Sequence, residues 1–174
     1  MPVSYEHGFW LAEEKNSLKA WDASKKDTLA PDRRHLETAL EEKKESVRWI
    51  DHLLELVLKP QEGIREEKIK WLEERIRIQK TYTGMYEVAV SALLLTRYVV
   101  ETKENRESAY YKEKQVQWRE TVDALKLWED RLRTMFEQTD YMPHTIYTLM
   151  DSDRMRCLYN DLRETGRREG LWIS

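Results

Sequence analysis

Apolar residues recur at alternating spacings of four and three along most of this chain, the repeat that lines one face of a helix. Between Pro31 and Pro60 the series Leu36, Leu40, Lys43, Val47, Ile50, Leu54 and Val57 keeps that alternation with one charged interruption. It predicts a helix over 31–59, with Pro31 at the first helical position, where its missing N–H costs nothing. Trp49, Leu53, Leu56 and Leu58 widen the stripe toward the end, so burial on more than one side is expected there.

The repeat restarts after Gln61 and runs through Ile69, Leu72, Ile76, Gln79, Thr83, Tyr86, Val90, Leu93, Arg97 and Val100. Two courses compete for this segment. One is a single helix over 62–103, about 63 Å long at 1.5 Å per residue. The other breaks at Thr81–Gly84, where β-branched residues and a glycine weaken a helix by up to about 1 kcal/mol each. The register passes through Gly84 without a slip, which favours the single helix.

A third seam, Tyr111, Gln115, Trp118, Val122, Leu125, Glu129, Leu132 and Phe136, predicts a helix over 107–137. Pro143 opens a last one over 143–164 that buries Ile146, Leu149, Met150, Met155, Leu158 and Leu162, with Gly166 as its C-terminal cap. Phe9, Trp10, Leu11, Leu18 and Trp21 suggest a modest amphipathic helix over 9–25, and the tail at 171–173 is too apolar to be left loose. The expected fold is therefore all-α: residues 1–174 as one domain, an elongated antiparallel bundle of about five helices with long coiled-coil-like seams. Its geometry carries a mismatch. A helix of about 63 Å outruns partners of about 42–47 Å, so its uncovered end must meet another copy, another protein or a break.

Composition narrows the class. Five glycines and four prolines in 174 residues are too few for the turns of a sandwich or barrel. Seven tryptophans and nine tyrosines argue equally against a disordered chain. The net charge of −3 comes from interleaved signs, with no strongly basic segment to attract nucleic acid or an anionic membrane. The longest apolar stretch, Met85 to Val100, contains Glu87 and Arg97 and would span about 24 Å as a helix, short of a ~30 Å hydrocarbon core. No secretory leader pattern opens the chain, and a cytoplasmic protein without membrane insertion is expected.

Candidate chemistry is sparse. None of His7, His35, His52 and His144 has a glutamate three residues before it, so the Glu-x-x-His signature of bundle metal sites is missing. Asp32-x-x-His35, at a helix start beside Arg33 and Arg34, comes nearest and reads better as a surface histidine. The single cysteine, Cys157, excludes an intramolecular disulfide and reads as a packed thiol, although Arg154 and Arg156 flank it. Gly166-Arg-Arg-Glu-Gly170 could touch a phosphate, but a helix cap followed by a turn explains it better. Carboxylates come with lysine or arginine one helical turn away, as surface pairs do. No catalytic residue, metal ligand or cofactor is therefore expected.

The favoured reading is a non-catalytic interaction or assembly protein: a homo-oligomer, or a subunit, adaptor or inhibitor docked on a larger complex through helix packing. Its interface candidates are Leu36, Leu40, Val47, Ile50 and Leu54 on one seam and Ile69, Leu72 and Ile76 on the next. Trp10 and Trp172 join them, because tryptophan is enriched at binding hot spots. The alternative is a nucleic-acid-associated protein using Arg65, Lys68, Lys70, Arg75, Arg77 and Lys80, with Trp71 and Tyr82 to stack on bases. An enzyme with a site between helices is the remaining class.

Overall fold

A computed structural model describes Trp21 and residues 27–60, 63–138 and 142–171, with the side chains of 136 and 142–152 outside the description. Four helices lie within those residues: α1 (Arg33–Leu58), α2 (Glu66–Glu101), α3 (Ala109–Gln138) and α4 (Met142–Arg168). A 3₁₀ turn, Lys103–Asn105, joins α2 to α3, and no strand occurs among the described residues. The all-α expectation holds, and each of these helices overlaps a predicted one within about four residues at either end. The expected helix over 9–25 falls outside the description, except for Trp21, whose backbone is helical.

Two boundaries differ for identifiable reasons. Pro31 is not the first helical residue. Asp32 is the N-cap of α1, its Oδ1 accepting from the backbone N–H groups of Arg34 (2.9 Å) and His35 (3.3 Å). Those donors are orphans of the first turn, and a carboxylate satisfies them better than a proline two residues outside the helix can. Gly166 is not the cap of α4 either. The helix runs past it to Arg168, and Gly170, at φ +65°, takes the left-handed position. The N–H of Leu171 donates to the Gly166 carbonyl (2.7 Å) and that of Gly170 to the Arg167 carbonyl (3.2 Å), the paired bonds of a Schellman ending.

α2 is the central element and is continuous through Gly84, the course that the unbroken register favoured. It packs antiparallel to α1, with Lys80 on Asp51 at one level and the Tyr98 hydroxyl donating to Glu37 (2.8 Å) at the other. It packs antiparallel to α3 as well, and α4 returns beside both. Met85, Tyr86, Ala89, Val90, Ala92, Leu93 and Val99 of α2 are buried in the core with Trp118, Val122, Leu125 and Leu132 of α3. Met155, Leu158, Leu162 and Leu171 close it from the side of α4.

Tryptophan rings set the close approaches. Trp118 is fully buried, donates from Nε1 to Thr96 Oγ1 (2.8 Å), and lies against the bare Cα of Gly166. Trp128 lies against Gly84 in the same way. Both glycines are in helix interiors, where glycine costs about 1 kcal/mol against alanine; the space they leave for an indole is the compensation. Trp21 is buried too and donates to Asp161 Oδ2 (2.9 Å).

The seams close less completely than the repeat implies. Trp49, Leu53, Leu56 and Leu58 were expected to be buried on more than one side, and instead they are 61%, 48%, 40% and 53% exposed. No described residue from Asp51 to Thr81 is buried, although the helices at that end are long and paired. The reason is layer number. Among the described residues the proximal half of α2 is surrounded by α1, α3 and α4, whereas its first turns have α1 on one side and, from Lys70 on, an open groove toward α3. At 36 residues α2 is about 54 Å long, against about 39 Å for α1 and 45 Å for α3.

Candidate interaction surface on the first hairpin

The distal half of the α1–α2 hairpin is where apolar chemistry meets solvent. On α1, Trp49, Leu53 and Leu56 follow one another at four and three residues and so share a stripe. The buried Leu36 and Ile50 and the half-buried Val47 and Leu54 belong to a different stripe of the same helix. Ile64, Trp71 (55% exposed) and Leu72 (40%) add to the exposed surface across the connection and on the first turns of α2. Trp49, Leu53 and Leu56 offer roughly 225–300 Å² of apolar surface on one stripe, at about 150–200 Å² for each large side chain and half exposure, and Leu58, Ile64, Trp71 and Leu72 roughly as much again on other faces of the hairpin. The largest apolar patch of a typical monomer covers about 300–600 Å² and is itself often functional. Aromatic contacts shape the surface. The Trp49 and His52 rings meet edge to face at 6.3 Å, and the Arg75 guanidinium lies over the Trp71 ring at 5.1 Å.

A groove of about 1030 Å³ lies between α2 and α3 next to this surface. Ile78, Trp128 and Met135 form its apolar floor, and its rims mix signs, with Lys70, Arg77 and Arg131 against Glu73, Glu74 and Asp130. Arg131 covers the Trp128 ring at 4.7 Å. The groove brings together neither a nucleophile with a base nor a set of metal donors, and among the described residues no three His, Cys, Asp or Glu side chains could hold a metal ion. Cys157 is half-buried and packs against the core, away from the groove.

Perturbed ionisation follows helix caps and ion pairs, Lys70 on the groove's rim included, where a hydrogen bond to Glu66 raises the ammonium. A hydrogen bond from the His35 backbone N–H lowers the Asp32 carboxyl, and hydrogen bonds from Arg33, Lys70, Lys112 and Lys103 lower Glu37, Glu66, Glu107 and Glu169 respectively. All five are cap or ion-pair carboxylates. The buried Glu129, expected in the third seam, receives Lys126 (2.8 Å) and Arg133 (3.3 Å) from its own helix.

The sequence-derived interface residues divide into three groups. Leu36 (0% exposed) and Ile50 (8%) are enclosed within the chain, and Leu40 is half-buried against the core. Val47, Leu54, Ile69 and Ile76 are half-buried, and Leu72 is exposed. Trp10 and Trp172 lie outside the described residues. The stripe that the fold leaves open, Trp49, Leu53 and Leu56, is not among those candidates, because a wide apolar stripe implies deep burial only where helices surround it on several sides.

The cationic set fares differently again. Lys70 is on Glu66 (2.8 Å), Arg77 on Glu73 (2.8 Å) and Lys80 on Asp51. Lys68 and Arg75 are seven residues apart on one side of α2, while Lys70 and Arg77 are seven apart on a side rotated by about 160°. The six cations thus form no single strip. Tyr82, expected to stack on bases, is buried in the core. Among the described residues no helix is long and apolar enough to cross a membrane.

No protein-family model, curated protein or solved structure matches the chain.

Proposed function

We propose that the protein is a non-catalytic helical interaction or assembly protein that docks through the distal half of its α1–α2 hairpin. The observation that carries this reading is the 61% exposure of Trp49 in line with the exposed Leu53 and Leu56, on a helix whose other stripe is already packed. Each large apolar side chain transferred from water contributes roughly 1.5–3 kcal/mol when fully buried, so a half-exposed set of this size can support stable association. The mixed-sign rims around it suit a protein partner, since they supply polar contacts without a field that favours nucleic acid.

The test is a differential one. Affinity purification from the native host would compare the wild-type chain with Leu53→Glu, after circular dichroism and thermal unfolding have shown an unchanged fold. Proteins retained by the wild type and lost by the variant support the docking surface; identical retention overturns it. The nucleic-acid alternative receives less support, because half of its six cations are already paired with carboxylates. A salt-steep affinity for single- or double-stranded probes would restore it.

A further inference from the structure

The exposed face of α1 has an internal symmetry. Glu45, Trp49, His52, Leu56 and Lys59 follow one another at four, three, four and three residues, and all five are exposed. About His52 the stripe reads acid, apolar, apolar, base, with Glu45 seven residues before and Lys59 seven after. A helix rises about 1.5 Å per residue, which sets Glu45 and Lys59 about 21 Å apart at the two ends. Neither the Glu45 nor the Lys59 side chain makes an ion pair or hydrogen bond among the described residues.

We propose that this stripe is a two-fold interface, and that its occupant is a second copy of the same chain laid antiparallel along α1. The inference rests on the docking reading above and names the partner. An isologous contact requires a surface complementary to itself under a two-fold rotation. Centred at His52, that rotation sets Glu45 of each copy against Lys59 of the other and lays Trp49 beside Leu56. A parallel arrangement would instead oppose Glu45 to Glu45 and Lys59 to Lys59. The stripe's charges therefore select one orientation, as flanking charges do in coiled coils.

The stripe covers part of the area that such a contact hides. A standard interface hides about 800 Å² on each partner, and in homodimers about 65% of it is apolar, or roughly 520 Å². Trp49 and Leu56, with Leu53 beside the stripe filling the space between them in the second copy, supply roughly 225–300 Å² of that at half exposure, about half the apolar area of a standard interface.

A charge-reversal series on the full chain tests the inference, with mass in solution read by light scattering across a concentration range. The wild type is expected at twice 21.1 kDa. Glu45→Lys and Lys59→Glu each oppose like charges at two symmetric points, and each is expected to weaken dimerisation roughly tenfold. The double variant restores opposite signs and is expected to return within about threefold of the wild type. Both positions are exposed and make no intrachain contact of this kind, so unchanged circular dichroism is expected throughout. A wild type of one chain mass at every concentration overturns self-pairing and leaves the docking reading to its own differential test. A dimer indifferent to the reversals, or single defects that the double variant does not repair, overturns the antiparallel stripe.

Discussion

The indole of Trp118 occupies the space that a side chain at Gly166 would need: a Cβ there would lie 2.4 Å from the ring's Cη2 atom. The ring has nowhere to retreat, being fully buried and tied through Nε1 to Thr96. Gly166→Ala gains about 1 kcal/mol of helix propensity and loses about 1–3 kcal/mol or more to overpacking. A net loss is expected, read as a lower midpoint in urea at an unchanged slope. Gly84→Ala is the control. There the Cβ would lie 2.8 Å from Trp128, whose half-buried ring borders the open groove and can shift. Stability within about 1 kcal/mol of the wild type is expected. An equal loss for both variants would show that the buried hydrogen bond does not hold the Trp118 ring.

Two buried hydroxyls of the core should respond in opposite ways. Thr96 Oγ1 accepts from Trp118 and donates to the Ala92 carbonyl (2.7 Å), so Thr96→Val strands a buried indole N–H. That change is expected to cost about 1–3 kcal/mol in chemical denaturation. The Tyr111 hydroxyl is buried without a hydrogen-bond partner among the described residues. Tyr111→Phe removes an unsatisfied group and is expected to be neutral or stabilising by up to about 1 kcal/mol. A clear loss of stability for Tyr111→Phe would mean that its hydroxyl is satisfied in solution.

Arg97 stands in the predicted seam of α2 and yet serves a turn distant in sequence. Its guanidinium donates to the carbonyls of Leu29 (2.8 Å) and Pro31 (2.9 and 3.2 Å). It thereby fastens the turn that leads into α1. Arg97→Ala is expected to cost roughly 1.5–3 kcal/mol, since hydrogen bonds from a charged group lie at the stronger end. Faster amide exchange at Leu29 and Ala30, with the α3–α4 core protected as before, is the accompanying signature. Uniform acceleration across the whole chain would contradict a local role.

Acidification should loosen the end of the bundle where α4 closes. The Glu169 carboxyl is held below its usual range by a hydrogen bond from Lys103 (2.7 Å), with a further one from Arg168, against burial, which acts the other way. A group whose folded pKa is depressed contributes stability above its unfolded value, near 4.5 here, and loses it as pH falls through the folded value. The melting temperature of the wild type should therefore fall below about pH 4.5. Glu169→Gln should start lower at neutral pH and show a shallower acid decline. Parallel curves for the two proteins would remove Glu169 from the acid response.

The helices, and the continuity of the longest, were legible in the spacing of apolar residues. Helical periodicity is a local property: Tyr86, Val90 and Leu93 share a face wherever the helix ends up. The Glu66–Glu101 helix passes through Gly84 as its register implied. Burial is not local. Leu53 and Leu54 are neighbours in sequence with the same hydropathy, yet Leu54 turns toward α2 while Leu53 is 48% exposed, because that depends on how many helices surround the site. The glycines make the same point. The spacing offered Gly166 as the end of the last helix, with Gly170 in the turn beyond it. Only the Trp118 ring, 48 residues before Gly166 in sequence, decided that Gly166 must stay bare inside the helix and leave the cap to Gly170. Spacing along one chain thus sets which side chains travel together, and packing between remote segments decides which of those sets meet water.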